Sequence, residues 1–499
     1  MIRQLTHGRF LPVTLVVVAG ALWRLWLMEN YAGWEESDYG NLAMIQGVLD
    51  GGFRHYDMNH MPGYYAVSAA VHALVQDSMV AGRTVSFGGG MVALTLATLL
   101  AIQLGGRRAG WLAGALLVVQ PEFSLYAASS LREPLAAAFV MGSLAAMARE
   151  RMAVAGLCAA GAFFVRFDLA LVMMPLLSVH ALGGPTEARV RRMWAGLAPL
   201  GLAIAVWTVY CKVDHGTFAF WSHSVSVNIE TGLGAEAEEP GSWWWNGVKV
   251  SAGLVGHVLP WRIGWLVWGG LLWACITGIR QAHGLWRTMA VCALLMVGLW
   301  AGIGFVGQHE LGHNLYWKWL NPLIPVVLPL GALGAWHAAD RLGRHVGTPA
   351  AVVFVGLGLS QAVASNLQES DRQRTRSEAW YRPQLELAQW IEANVTQGTP
   401  MVVDNIPACW IRRRPNEHRM TSWFDVPVTP AKEAEFARWI EAEGIEWVMW
   451  FQEEWTQAPV IAPFLRHGGR WASGETVLVE RAREDGYGWI WFEVVSGAE

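Results

Sequence analysis

Long apolar segments recur along the first three quarters of this chain, and they constrain its fold more than any other feature. A membrane-spanning helix needs about 20 mostly apolar residues. The chain is 54% hydrophobic and only 15% charged, with a mean hydropathy of +0.29, which excludes an ordinary soluble enzyme. Its net charge of -4 and the absence of Lys/Arg runs exclude a nucleic-acid-binding surface. The sequence therefore predicts an integral membrane protein.

The apolar segments predict about eleven membrane-spanning helices. They cover residues 11–28, 84–104, 109–126, 133–148, 152–165, 169–182, 193–211, 256–279, 288–306, 319–337 and 348–364. The first segment could instead be a signal peptide, because Ala19 and Ala21 resemble a cleavage site. Trp23, Arg24 and Trp26 just beyond it favour a retained anchor.

Arginine residues predict the topology, because short cytoplasmic loops collect Lys and Arg. Every second loop carries such residues: Arg107, Arg108, Arg149, Arg151, Arg189, Arg191, Arg192, Arg280, Arg287, Arg341 and Arg344. Placing these loops and the N-terminus in the cytoplasm makes loops 29–83 and 212–255 extracytoplasmic, together with everything after residue 365. Residues 62–75 are then predicted to form an interfacial helix, since a span there would put the later arginine clusters outside.

Residues 366–499 differ from the preceding membrane core, residues 1–365. Their charged, alternating pattern predicts a soluble α/β domain in which strands alternate with helices, giving a partly parallel sheet. The five cysteines form neither a disulfide framework nor a CxxC pair.

An acidic cluster follows the first predicted span, in the sequence GWEESDYGNLA. Glu35, Glu36 and Asp38 lie within four residues of one another. Such carboxylates repel one another unless a metal, a cation or a proton relieves them, and this is one way to make a general base. Alternatively, the cluster is the acidic first turn of a helix, which the helix dipole favours.

This loop resembles the first external loop of polyprenyl-phosphate-dependent glycosyltransferases of the GT-C fold. The resemblance rests on WEESDYGNLA, on NHMPGYY and on the interfacial helix that follows. The superfamily includes protein O-mannosyltransferases and lipid A aminoarabinose transferases. Other segments also resemble it: SSLREPLAAAF with Glu133, FFVRFD with Arg166, YWKWLNPLIP with Lys318, and LAQWIEANVTQGTPMVVD at the start of the C-terminal domain. Glu35 stands where aspartate is usual, and Lys318 where arginine is usual.

The resemblance implies a GT-C-type hexosyl- or pentosyltransferase of the cell envelope, in a bacterial inner or plasma membrane. It implies Glu35 as the general base, with Glu36 as the second choice and Asp38 beside them. Donor-binding roles fall to four residues: Lys318, Arg166, His60 and Glu133. The donor would be a polyprenyl-phosphate sugar, and the acceptor a lipid, a polysaccharide or a protein.

Structural alternatives exist for the charged residues. Arg or Lys near a helix end often extends to the membrane surface. Glu133 could equally be a helix-start acid paired with Arg132. No cofactor is required by these motifs, and a divalent metal ion is left open.

A second motif, HELGH, indicates a different class of enzyme. His309, Glu310 and His313 fit the HExxH pattern of zinc metalloproteases. No third ligand follows at a familiar spacing, and Gly312 weakens the required helix. The two histidines remain candidate metal ligands within a transferase. A transporter is the third hypothesis, and it would show charged residues in mid-span and internal symmetry.

Overall fold

The computed structural model resolves the chain into two compact units. It describes residues 10–30, 36–52, 60–218, 242–280, 284–307, 314–346, 381–403, 405–413, 419–422, 426, 433–451, 469–484 and 489–496, with isolated residues between 356 and 379. The first unit comprises Met1–Asn30, Val48–Val71 and Gly82–Gln373, and the second comprises Tyr31–Gly47, His72–Ala81 and Arg374–Glu499.

Helices account for all the regular structure between residues 10 and 346 that the structure describes. They are α1 (Phe10–Asn30), α2 (Glu36–Gly51), α3 (Pro62–Val75), α4 (Ser78–Val119), α5 (Pro121–Ala128), α6 (Glu133–Met147), α7 (Met152–Val165), α8 (Ala170–Leu182), α9 (Arg189–His215), α10 (Ser242–Gly253), α11 (Leu259–Ile263), α12 (Trp265–Ile279), α13 (Leu285–Gly307) and α14 (Asn314–Val346). The predicted interfacial segment is helix α3.

Helix α4 contains the predicted span 84–104 and most of the predicted span 109–126 in one hairpin, and the last residues of the second span belong to α5, after a break at Gln120. Its 42 residues are interrupted at Gly106, where the backbone leaves the helical region with φ 78°. A Cβ added at Gly114 would lie 3.1 Å from Oγ1 of Thr98, although 16 residues of straight helix would separate the two by about 24 Å. The chain therefore folds back at Gly106, as the two arginines of the predicted cytoplasmic loop require.

The predicted single span 256–279 is wrong as one straight helix. A π-helical turn, Leu254–Val258, precedes α11, and the axis then bends by 117° between Ile263 and Trp265. Gly264 lies at the break with φ 86° and ψ 137°, a conformation that L side chains rarely adopt. The break brings the residues before it, including Arg262, into the interior.

The other predicted spans up to residue 337 overlap the observed helices. By length and composition, five described helices can cross a membrane, or six if the bent pair counts as one, and helix α4 is one of the five. The apolar helices Glu133–Met147, Met152–Val165 and Phe167–Leu182 are shorter. The last predicted span, 348–364, lies largely outside the described residues, so the prediction of eleven spans stays a prediction.

The predicted α/β domain with a partly parallel sheet is confirmed. It contains α15 (Arg382–Asn394), β1 (Pro400–Val403), α16 (Asn405–Ile411), β2 (Arg419–Ser422), α17 (Glu433–Glu443), β3 (Trp447–Phe451), β4 (Arg470–Ser473), β5 (Thr476–Glu484) and β6 (Trp489–Ser496). The strand order is β2-β1-β3-β6-β5-β4. Strand β1 pairs in parallel with β2 and β3, while β3-β6, β6-β5 and β5-β4 are antiparallel.

Two segments of the first predicted outer loop belong to this second unit. Arg413 follows α16 and is 7% exposed. Its Nε lies 3.6 Å from Oδ2 of Asp77, and its Nη1 lies 3.2 Å from Oε1 of Glu392. The backbone N–H of Ser78 also donates to the carbonyl of Arg413 at 2.7 Å. The domain therefore includes residues that precede the second span, which its sequence pattern did not predict.

Candidate active site

Helices α6 and α7 bring Glu133 and Arg166 to the same end of the bundle. The two helices form an antiparallel pair, because Ser143 of α6 donates to the carbonyl of Ala155 in α7 at 2.9 Å. Glu133 is the first residue of α6, and Arg166 is the residue that ends α7 in an extended conformation. Glu133 and Arg166, which are 33 positions apart in the sequence, therefore meet at one end of the α6–α7 pair.

Arg166 lies at the centre of a buried ion-pair cluster. Its Nη1 donates to Oε1 of Glu133 at 2.7 Å, and its Nη2 donates to Oδ2 of Asp168 at 3.0 Å. The guanidinium also stacks over the ring of Trp319, 4.2 Å from the ring centroid. Glu133 is 2% exposed and Arg166 is 6% exposed. Two carboxylates therefore neutralise this cation, and Arg132 approaches Glu133 at 3.7 Å from the other side.

The second carboxylate oxygen of Glu133 has a distinct environment. Oε2 is buried and has no hydrogen-bond partner among the described residues. A buried acceptor without a partner costs free energy of about 1–3 kcal/mol. This oxygen is therefore suited to accept a hydrogen bond from a ligand hydroxyl, whereas Arg166 acts on Glu133 by holding it in place.

Helix α3 is tied to the loop that carries Glu133. The hydroxyl of Tyr64 donates to the carbonyl of Gly82 at 3.1 Å and lies 3.1 Å from Oγ of Ser130. Ser86 shares this network, because its Oγ lies 3.2 Å from the hydroxyl of Tyr64 and accepts from the backbone N–H of Leu131 at 3.1 Å. The NHMPGYY segment is thereby connected to residues 130 and 131, just before Glu133.

His60 lies in the same segment and packs on its aromatic residue Tyr65. The imidazole lies edge-on to Tyr65, with 6.1 Å between the ring centroids. His60 is partly exposed, while Tyr65 is fully buried. The structure thus places His60, Glu133 and Arg166 on connected elements of one unit.

A second buried ion pair joins the broken span to helix α5. Nη1 of Arg262 lies 2.8 Å from Oε1 of Glu122, and these residues are 7% and 1% exposed. Gln120 caps α5 and donates to the other oxygen of Glu122. Asn321 of α14 donates to the carbonyl of Glu122 at 2.9 Å. Sequence analysis missed this pair, although an ionisable residue inside a predicted span was a usable signal.

Arg24 of the first span is fully buried beside Phe123. Its guanidinium carbon lies 5.0 Å from the ring centroid, and its Nη1 donates to the carbonyl of Gly20 at 3.0 Å. Nε and Nη2 have no hydrogen-bond partner among the described residues. Together with Glu122 and Arg262, Arg24 shows that ionisable residues occur inside the predicted spans as well as in the loops.

Several predicted site residues fall outside the described part of the chain. Glu35 and the whole HELGH segment lie there. Glu36 and Asp38 belong to α2 and Lys318 to α14, but their side chains are not described. Among the residues that the structure describes, no group of three or more His, Cys, Asp or Glu side chains could hold a metal ion. The assignments to these residues therefore stay predictions.

Among the comparisons with known proteins, only the comparison with solved structures finds similar proteins, and these share the fold of this chain. No protein-family model matches the sequence, and no curated protein matches it. The structure is similar to ArnT from Cupriavidus metallidurans bound to undecaprenyl phosphate, with 14% identity, a TM-score of 0.61, and coverage of 96% of this chain and 97% of that chain. The apo form of the same protein gives a TM-score of 0.62, again at 14% identity, with coverage of 97% of this chain and 98% of that chain.

A third solved structure extends the similarity to another enzyme. The oligosaccharyltransferase of Archaeoglobus fulgidus, in complex with Zn and sulfate, has 14% identity and a TM-score of 0.52, with coverage of 91% of this chain and 71% of that chain. At this level of identity the similarity establishes the fold. The chain has the GT-C fold, as its first-loop motifs predicted.

Proposed function

We propose that this protein is a membrane glycosyltransferase that transfers a sugar from a polyprenyl-phosphate donor to an acceptor on the extracytoplasmic face. The observation that carries the proposal is the shared fold, which covers nearly the full length of this chain and of ArnT, solved with undecaprenyl phosphate. Fold alone does not define a reaction. The acidic first-loop cluster and the buried cluster of Glu133 and Arg166 supply the chemical groups.

The residues divide into a base and a set that organises the donor. Transfer needs a carboxylate to accept the proton of the acceptor hydroxyl, and cations to stabilise the departing lipid phosphate. Glu35 is the proposed base, with Glu36 and Asp38 beside it. Lys318 is the proposed phosphate contact.

Glu133, Arg166 and His60 would shape the donor site around these groups. Because Arg166 is already paired with two carboxylates, its proposed role is to position Glu133. The free oxygen of Glu133 would then accept a hydrogen bond from the donor. A divalent metal ion stays open for this chemistry, and His309 and His313 are the residues that would bind one.

The test is mass spectrometry of glycolipids and glycoproteins from cells that have the protein, lack it, or carry Glu35→Gln. We expect at least one glycoconjugate that loses a hexose or pentose in both altered strains, while the polyprenyl-phosphate sugar accumulates. Glu29→Gln, which changes an exposed glutamate six positions earlier, is the matched control and should behave as wild type. Identical glycoconjugates in all strains would refute the proposal. The appearance of a Glu310-dependent proteolytic product would replace it with the metalloprotease.

A further inference from the structure

A polar cavity lies at the end of the bundle opposite Glu133. Its volume is about 720 Å³, and it is lined by the turn after α6, the end of α8 and the starts of α9 and α13. Glu150 lines it, just beyond α6, and Glu133 begins the same helix. A helix of 15 residues separates two such sites by about 22 Å. The cavity is thus distinct from the proposed transfer site.

The side chains that line the cavity carry a net positive charge. Arg189, Arg192 and Arg287 contribute three positive charges, Glu150 contributes one negative charge, and His180 is the remaining titratable group among the lining residues. With neutral His180, the sum is +2. Arginine forks bind phosphate oxygens in a bidentate manner. The cavity therefore suits an anion that carries a phosphate group.

Internal hydrogen bonds hold this lining in place. Nδ1 of His180 lies 2.8 Å from Oγ1 of Thr288, and Nε of Arg189 donates to the carbonyl of Gly184 at 3.1 Å. Arg192 forms an ion pair with Glu150. A Cβ at Gly184 would lie 2.8 Å from the guanidinium carbon of Arg192, so the loop is closely packed around this arginine.

Apolar side chains flank the cationic residues in the sequence. Leu182, Val190 and Trp194 are 53%, 64% and 68% exposed. Exposed apolar residues next to helix ends of a membrane protein face lipid, and tryptophan is enriched at the membrane surface. A soluble anion would use the arginines but not these apolar residues. A phospholipid would use both.

We propose that this cavity binds the phosphate group of an anionic phospholipid from the adjacent leaflet. The arginines at positions 189, 192 and 287 contact the headgroup, while the acyl chains lie along Leu182, Val190 and Trp194. Glu150 competes with the lipid for Arg192 and so limits the affinity. The proposal is independent of the transferase assignment, because it uses neither the first loop nor the cluster of Arg166.

Lipid binding to the purified full-length protein tests the proposal by native mass spectrometry in detergent, with phosphatidylglycerol as the ligand and phosphatidylcholine as the neutral comparison. We expect phosphatidylglycerol to bind more tightly. Arg192→Gln and Arg287→Gln should each weaken its binding about 10-fold, the effect of losing one charge-assisted contact. Glu150→Gln should strengthen it, because it removes the competing carboxylate. Arg191→Gln is the matched control, since Arg191 is exposed and does not line the cavity.

The arginine variants should weaken phosphatidylglycerol binding, whereas Glu150→Gln should strengthen it. The test therefore still decides the question if one arginine variant fails to fold. Equal binding of the two lipids would overturn the proposal, and so would weaker binding in Glu150→Gln. Inorganic phosphate distinguishes a lipid from a free anion. If millimolar phosphate binds as tightly as phosphatidylglycerol and displaces it, the site is a soluble-anion site and the lipid assignment is wrong.

Discussion

Ionisable residues in the apolar part of this protein are mostly paired. Glu122 pairs with Arg262, and Glu133 pairs with Arg166, each through an oxygen–nitrogen contact shorter than 3 Å. An isolated charge in the membrane is costly, and pairing reduces the cost. Arg24 is the exception among these residues, since its described polar contact is a backbone carbonyl and its other neighbour is an aromatic ring.

The first residue-scale prediction concerns the proposed base. Glu35→Gln should lower the rate of sugar transfer about 100-fold to 10,000-fold, because the amide cannot accept a proton. Donor affinity should change little, since the donor phosphate is assigned to Lys318.

Single-turnover transfer from a purified polyprenyl-phosphate sugar measures the rate of transfer, and a donor-binding assay measures the donor affinity. Lys318→Met should instead weaken donor binding. If Glu35→Gln transfers sugar at a rate within about threefold of wild type, the loss is far smaller than removal of a base should cause, and Glu35 is not the base. Loss in Glu36→Gln alone would move it by one residue.

The second residue-scale prediction concerns Arg166. Arg166→Met leaves the buried carboxylate of Glu133 with only the more distant Arg132, and the partly buried Asp168 without its partner, which should lower the free energy of unfolding by about 3–5 kcal/mol. Unfolding in mixed micelles measures the change. Arg149→Met is the matched control, because Arg149 is exposed and should shift stability by less than about 0.5 kcal/mol.

Adding Glu133→Gln to Arg166→Met should recover part of the loss, because the double variant no longer buries that unpaired charge. If the effects of the two changes simply add, the pair is not the source of stability.

At the level of elements, breaks in helices decide which residues reach the interior. The π-helical turn and Gly264 interrupt an apolar segment and bring the side chain of Arg262 to Glu122.

Helix α3 approaches the end of α7 so closely that a Cβ at Gly63 would lie 2.7 Å from the carbonyl oxygen of Phe164. Gly63 lies in the NHMPGYY segment, and this contact gives a steric reason for a glycine there.

The element-scale prediction is that Gly63→Ala destabilises the protein. The added methyl group meets backbone atoms of Phe164 that cannot move aside, so the cost should be about 1–3 kcal/mol. Gly47→Ala in α2 is the matched control, since no atom of the described residues lies within 4 Å of its added Cβ. There, alanine should be neutral or stabilising by up to about 1 kcal/mol. Thermal unfolding of both variants in detergent measures the difference. Equal midpoints for the two would show that α3 does not pack closely against α7 in the membrane.

At the level of the whole molecule, three predicted cytoplasmic loops meet at one cavity. Glu150, the segment from Gly183 to Arg192, and the segment from Gly284 to Thr288 all line it. These loops lie two spans apart in the predicted topology, so their convergence fits the alternation derived from the arginines.

The whole-molecule prediction follows from that alternation. A reporter inserted at Arg189 should be cytoplasmic, and one fused after Ser365 should be extracytoplasmic. Alkaline phosphatase and a fluorescent protein, each active on only one side of the membrane, measure the two positions. A cytoplasmic signal after Ser365 would move the α/β domain inside and remove the proposed outer location of the acceptor.

Local patterns in the amino-acid sequence were sufficient to predict the helical membrane core, a helix over Pro62–Val75 and the partly parallel sheet of the C-terminal domain. Hydrophobic length, arginine alternation and strand periodicity are properties of neighbouring residues, so they can be recognised without coordinates. The first-loop motif also predicted the GT-C fold. The pairing of Glu133 with Arg166, the break at Gly264 and the cationic cavity around Arg192 depend instead on residues far apart in the chain. Their partners are set by how the helices pack, because a guanidinium that leaves water takes whichever carboxylate or aromatic ring the packing places beside it.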